Sequence, residues 1–465
     1  MYFYAMKKLL IASILLFSSS QLRAQTTAIP DIYFEQALID LGLDSILDSS
    51  VLTENINIVT TLDVYGKSIS DLTGIQYFTA LTQLNCSNNQ LTSLDVSQNM
   101  ALTRLVCSNN QLTNLDVTQN TVLDDLNYDY NQLTSIDLTQ NTALAFLNCG
   151  DNGIISLDVS QNTALAFLNC GDNGITSLDV SQNTALTDLQ CYHNQLTSID
   201  VRQNTALSRL NCSNNQLTSI DVTQNTALNS LHCDNNQLTS IDVSQNTALK
   251  YLYCSINKLT SIDVTQDTAL IRLNCGLNQL TSIDVSQNTA LAYLTCGDNE
   301  ITSIDVTQNT ALAYLLCEQN KLTSLDVSQN TALDGLNCYN NQLTSLDVSQ
   351  NTALAFLNCG DNGITSLDVS QDTALGYLAC ELNQLTSLDV SQNTSLAFLD
   401  CSNNQLSCLN IKNGTNTTIV DEKLLASNNP NLICIGVDDV AYSKSNWTLI
   451  DTGVSFSTDC SSCLD

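Results

Sequence analysis

Leu81-Thr82-Gln83-Leu84-Asn85-Cys86-Ser87-Asn88-Asn89-Gln90-Leu91-Thr92-Ser93-Leu94-Asp95-Val96-Ser97-Gln98-Asn99 is the stretch whose pattern decides the fold. The same pattern returns every 21 residues through 16 units, from Leu81 to Ile411, and a cysteine marks each unit from Cys86 to Cys401 except one, which has Tyr128. Leu84 and Cys86 alternate with Gln83, Asn85 and Ser87, as a half-buried strand requires. Leu94 and Val96 flank Asp95 in the same way. One unit offers six apolar side chains to bury, worth on the order of 10 kcal/mol. Ordering its backbone costs roughly 20–40 kcal/mol. A single unit therefore cannot fold, whereas stacked units cover each other's apolar edges and add parallel ladder bonds.

The pattern L-x-x-L-x-C-x-x-N-x-L resembles the leucine-rich repeat, with Cys where Leu is usual. Because Leu91 to Asn99 repeats the spacing of the first half, it looks like the nested 21-residue class of bacterial extracellular leucine-rich-repeat proteins. That resemblance implies a mainly β solenoid with short parallel strands on two sides of each coil and a ligand on the concave strand face. Little helix is expected outside an N-terminal cap, where Pro30 to Gly42 reads as a short helix. Asp31 would cap it, Phe34, Leu38 and Leu41 would line one face, and Gly42 would stop it. The expected division is a signal peptide over 1–24, a cap and irregular first coil over 25–80, repeats over 81–411, and a C-terminal cap and tail over 412–465. Trp447 is expected to cover the last coil.

The signal reading rests on Met6-Lys7-Lys8, the apolar run Leu9 to Phe17 and a small residue, Ala24. The run is too short to span a bilayer, which takes roughly 20 residues, and no later stretch qualifies. The chain is thus expected at the cell surface or secreted, without a transmembrane segment, and monomeric. With 46 acidic against 14 basic residues the net charge is −32, which disfavours nucleic acid and anionic membranes as partners.

Repeated polar positions read as structure first. Asn89 and its equivalents to Asn404 are invariant between units, and Asn99 and its equivalents are Asn in most units, with Asp267 and Asp372 as substitutes. Their amides suit backbone groups at the tight corner and in the adjoining coil. The cysteine ladder reads as free, buried thiols, because neighbouring parallel strands poorly match disulfide geometry. Off the ladder, a Cys408–Cys434 disulfide would close the C-terminal cap, and Cys460-Ser-Ser-Cys463 fits a local disulfide, a redox motif, half a metal site or a frayed tail.

Fifteen aspartates from Asp95 to Asp389, including Asp116, Asp137, Asp158 and Asp179, form one outward row. In water, two unit charges about 4.8 Å apart repel by about 1 kcal/mol. Ca²⁺, donors from Ser97-type or Thr82-type residues, or altered protonation would offset this. Calcium is the one cofactor that the row suggests, though single carboxylates supply few ligands per ion. The recurring Gly150-Asp151-Asn152-Gly153 reads as a turn.

Chemical variety concentrates at the residue before the second leucine. Eight of its 16 occurrences are aromatic: Phe146, Phe167, Tyr251, Tyr293, Tyr314, Phe356, Tyr377 and Phe398, with Tyr253 nearby on the same face. Exposed aromatics resemble a binding surface, and cross-strand stacking is the alternative role. His193 and His232 lack recognisable catalytic partners, and no G-x-S-x-G, H-E-x-x-H or P-loop pattern occurs. Two functions remain: a non-catalytic scaffold for a protein or glycan ligand, and a stiff acidic surface rod for adhesion, which Ca²⁺ would stabilise.

Overall fold

The structure is a computed structural model that describes residues 24–460, so the signal-peptide reading of residues 1–23 and the fate of Cys463 lie outside the described residues. Two compact units are distinguished, one up to Ile175 and one from Thr176 onward. Each is a parallel β-solenoid whose coils contribute one three-residue strand to a common ladder.

In the first unit the ladder runs through Thr61–Asp63, Gln83–Asn85, Arg104–Val106, Asp125–Asn127, Phe146–Asn148 and Phe167–Asn169. In the second it begins at Asp188–Gln190, and successive strands pair leucine against leucine up to Phe398–Asp400. Six side chains per coil fill the core, for example Leu102, Leu105, Cys107, Leu112, Leu115 and Val117. The 15 ladder cysteines are buried free thiols. Some thiols donate to the carbonyl one coil on, as Cys149 does to Asn169 at 3.2 Å. Tyr128 occupies the thiol position of its coil, fully buried, with its hydroxyl against Cys149.

The two asparagine ladders do different work. Asn89 Oδ1 accepts from Ile69 N (2.9 Å) and Lys67 N (3.1 Å) of the preceding coil, and Nδ2 donates to Val64 O, Cys86 O and Ser87 O. Asn257 repeats this with Leu238 N, Cys233 O, Cys254 O and Ser255 O. The Asn99 type only donates. Asn225 Nδ2 reaches Val201 O and Asn204 O at 2.9 and 2.8 Å, while its buried Oδ1 has no hydrogen-bond partner.

Several expectations need correction. Strands on the second side of the coil form only near one end of the second unit, at Ser387–Asp389, Cys408–Asn410, Cys434–Gly436 and Ser455–Ser457. Elsewhere among the described residues that side shows an isolated bridge, Asp95 to Asp116. The coil geometry also outlasts the sequence period. Leu424–Leu425 extends the main ladder, and Asn429 repeats the Asn89 bonds on Leu406 N, Cys401 O and Ala426 O. A helix not anticipated from the sequence, Val440–Asn446, follows. Trp447 is buried nearby and donates Nε1 to Ile419 O at 2.7 Å. The expected Cys408–Cys434 disulfide is replaced by Cys434–Cys460, Cα atoms 5.9 Å apart, and Cys408 is disulfide-bonded to another residue. Cys434 lies on a strand that pairs in parallel with Cys408's own, the same geometry that keeps the ladder thiols apart.

At the N-terminus Asp31 caps helix Ile32–Asp40 through Tyr33 N and Phe34 N, and its other oxygen takes Ser70 N and Asp71 N of the first coil. Phe34 and Leu38 are buried as expected, but Leu41 follows the last helical residue and is 49% exposed.

Asp267 and Asp372 sit at the Asn99-type position, fully buried, with neither carboxyl oxygen hydrogen-bonded. By register they face carbonyls that an asparagine would satisfy, namely Val243 and Asn246 for Asp267. Burial, with Asp263 and Asp242 nearby, pushes the Asp267 carboxyl up to about 7. Burial and Asp368 do the same for Asp372, also to about 7. The folded value lies above the unfolded one, so these groups leave stability intact below about pH 4. They weaken it progressively up to about pH 7 and weaken it fully above that. The Asp267→Asn/Asp372→Asn variant should therefore gain about 2–4 kcal/mol per site over the parent at pH 8, and little at pH 4. Parallel melting profiles of the two proteins from pH 4 to 8 would refute this.

Burial pushes the ladder thiols up, Cys86, Cys191 and Cys338 to about 12. Iodoacetamide should accordingly spare all 15 in the native chain and alkylate all of them in denaturant, counted by mass spectrometry. Modification of ladder thiols without denaturant would show that the stack opens.

Candidate binding face

The strand ladder turns its leucines inward, so the residues on either side of each leucine face outward. Parallel pairing in one register then sets like positions of successive coils side by side. In the first unit Phe146 and Phe167 stack at 4.4 Å with their planes nearly parallel. In the second unit Tyr293 and Tyr314 stack at 5.1 Å, with Arg272 4.0 Å over Tyr293. Tyr314 also lies across Gly335, where a Cβ would come within 2.6 Å of its ring, and its hydroxyl donates to Asp334. Phe356, Tyr377 and Phe398 form a three-ring stack with spacings of 4.6 and 4.3 Å. Tyr253 stacks on His232 at 4.3 Å. Tyr251 is 39% exposed and enters none of these stacks.

The aromatic residues singled out in the sequence thus form separate strips, and stacking and exposure coexist in them. Carboxylates flank the strips. Glu318 and Glu381 fold into the space above Gly297 and Gly360 of the preceding coils. Burial raises both carboxyls. Glycine one coil before glutamate at the same position is the sequence signal for both.

The residue before each ladder asparagine is left-handed in every coil, from Asn88 to Asn403, with φ of 50–55°. In the Gly-Asp-Asn-Gly turns it is the aspartate, for instance Asp151, that takes this conformation. Ile256, Leu277 and Leu382 occupy the same position with exposed aliphatic side chains, the first two in adjoining coils, another feature the period concealed.

On the opposite side the aspartate row is held by its own turn. Asp95 accepts from Ser97 N at 2.9 Å, and Asp116 from both the N–H and hydroxyl of Thr118. The same donors to Asp137, from Thr139, and to Asp158, from Ser160, hold these carboxyls below their ordinary value despite their like-charged neighbours. Asp179 receives Ser181 N at 2.9 Å. Thr82-type hydroxyls do not join in; Thr82 donates to Thr60 O. Among the described residues no group of three or more His, Cys, Asp and Glu could hold a metal ion.

No family model matches the chain. Among solved structures, the functional domain of InlJ from Listeria monocytogenes, which includes a cysteine ladder, is similar with a TM-score of 0.69 and 38% identity, covering 83% of each chain. A leucine-rich-repeat protein of Leptospira interrogans gives a TM-score of 0.65 at 28% identity over 72% of this chain and 92% of that one. Among curated proteins, Internalin J of Listeria monocytogenes serotype 4b (strain F2365) is 46% identical over 50 residues. That match spans 11% of this chain and 6% of Internalin J. The repeat, the thiol ladder and the likeness to the InlJ domain agree: the chain belongs to the bacterial leucine-rich-repeat proteins of the nested, cysteine-ladder class.

Proposed function

We propose that the chain is a non-catalytic scaffold at the cell surface or in secreted form, which binds a protein partner along its outward strand face. The observation that carries this is the set of half-exposed aromatic strips on a ladder whose inward leucines are constant while its outward positions vary. Stacked rings present large, rigid apolar area at little entropic cost. The fold is compatible with such use: a plant peptide hormone receptor, RGFR1, is solved in complex with RGF2 on a similar solenoid, with a TM-score of 0.69 at 20% identity.

Replacing Tyr251, Tyr293 and Tyr314 with Ser should abolish partner capture from native cell-envelope material. Folding should suffer by only about 1 kcal/mol, from the lost Tyr293–Tyr314 stack. Unchanged capture, or a collapse of folding, would assign these rings to sheet stability instead.

The acidic rod is the second function, favoured by the ionised aspartate row. Each carboxylate in it already holds donors of its own turn, so added Ca²⁺ or a chelator should leave the melting temperature unchanged. A rise of several degrees with Ca²⁺ would revive a calcium-stabilised rod.

A further inference from the structure

The left-handed position before each ladder asparagine is easy for Asn and Asp and strained for a β-branched side chain. Ten of the 16 coils place Asn or Asp there, and Ile256 is the one β-branched residue in the row. Leu277 follows it in the next coil, and Asn257 N donates to Leu277 O, which sets the two turns side by side. Their side chains are 46% and 51% exposed. An asparagine at either place would relieve the backbone and hide no less apolar surface, so the fold gains nothing from these residues. Strain kept without structural return marks a functional position.

Two further observations meet there. Tyr251, the aromatic outside the ring stacks, belongs to the coil of Ile256 and pairs in register with Arg272. The local charge is also inverted. Residues 243–283 hold Lys250, Lys258 and Arg272 against two carboxylates, Asp263 in the aspartate row of the opposite side and the buried Asp267, in a chain of net charge −32. Lys258 Nζ lies 3.3 Å from Gln237 Oε1, and Arg272 rests on Tyr293. Asp234 and Asp298 bound this window on the two flanking coils.

We infer that the strand and turn surface around Tyr251, Ile256 and Leu277 docks an acidic protein segment with apolar side chains. Its carboxylates meet Lys250, Lys258 and Arg272, and its apolar groups cover the exposed aliphatic pair. This rests on the strand-face function above and narrows it to two coils. Elsewhere the acidic surface repels such a segment, so the window also fixes where it binds.

The test measures fluorescence anisotropy of three labelled short peptides on the full chain: alternating glutamate and leucine, lysine and leucine, and glutamate and serine. The glutamate–leucine peptide should bind at least about tenfold tighter than either other. Ile256→Asn/Leu277→Asn should weaken it about tenfold while the melting temperature holds or rises, and Lys250→Glu/Lys258→Glu should reverse the preference for glutamate. Equal binding of the three peptides, or full binding by Ile256→Asn/Leu277→Asn, would overturn the inference. So would displacement of the peptide by polygalacturonate at equal mass, which would point to an anionic glycan. Loss confined to a Phe356→Ser/Tyr377→Ser/Phe398→Ser variant would overturn the location and leave the strand-face function standing. No loss in any variant would overturn both.

Discussion

The ladder asparagine is the interaction on which the rest of the structure depends. One carboxamide closes the corner of its own coil and clamps the coil before it, as Asn89 does with Cys86 O and Ser87 O on one side and Val64 O, Lys67 N and Ile69 N on the other. Leucine burial drives stacking but is indifferent to register, since any leucine can cover any other. The amide is not indifferent. A shift of one residue would leave buried donors and acceptors unpaired, and each such group costs about 1–3 kcal/mol. The asparagine thereby converts a general apolar attraction into a 21-residue screw in one register.

A fixed register has consequences outside. It sets like positions of neighbouring coils together, so a substitution on the strand face always meets its own kind of position. That is why Phe146 finds Phe167 and why Tyr377 is sandwiched between Phe356 and Phe398. It also produces the glycine vacancies that Glu318 and Glu381 fill. The same regularity imposes a left-handed residue on every coil, whether or not the side chain suits it. Departures such as Ile256 then stand out physically as well as in sequence.

What could be read from the sequence follows the same division. Leucines, thiols and asparagines obey the period because packing repeats, and their burial was legible from spacing alone. Features that break the period were less so. The coil at Leu424 to Asn429 was hidden because its spacing from the preceding asparagine is longer, although Ser427-Asn428-Asn429 repeats Ser402-Asn403-Asn404. The Cys434–Cys460 pairing depends on how the C-terminal segment returns to the stack, which no local spacing encodes. Strands on the second side were overestimated, because alternation of Leu94, Asp95 and Val96 reports burial and not backbone pairing between coils. The strips on the binding face were legible as aromatic residues; their grouping required the register.

The aspartate row shows how the charge is carried. Adjacent carboxylates raise one another's proton affinity, yet the N–H and hydroxyl donors two residues on outweigh this, and the carboxyls are held below their ordinary value. The row stays ionised, and its field extends over a Debye length of about 8 Å at physiological salt. A surface of that kind rejects anionic segments along most of its length. On the strand side, Lys250, Lys258 and Arg272 outnumber the two carboxylates of residues 243–283 and form a window in which an acidic partner is attracted, and the exposed Ile256 and Leu277 lie inside that window. The constraint that makes the molecule so acidic is thus also what gives its short basic stretch the power to select.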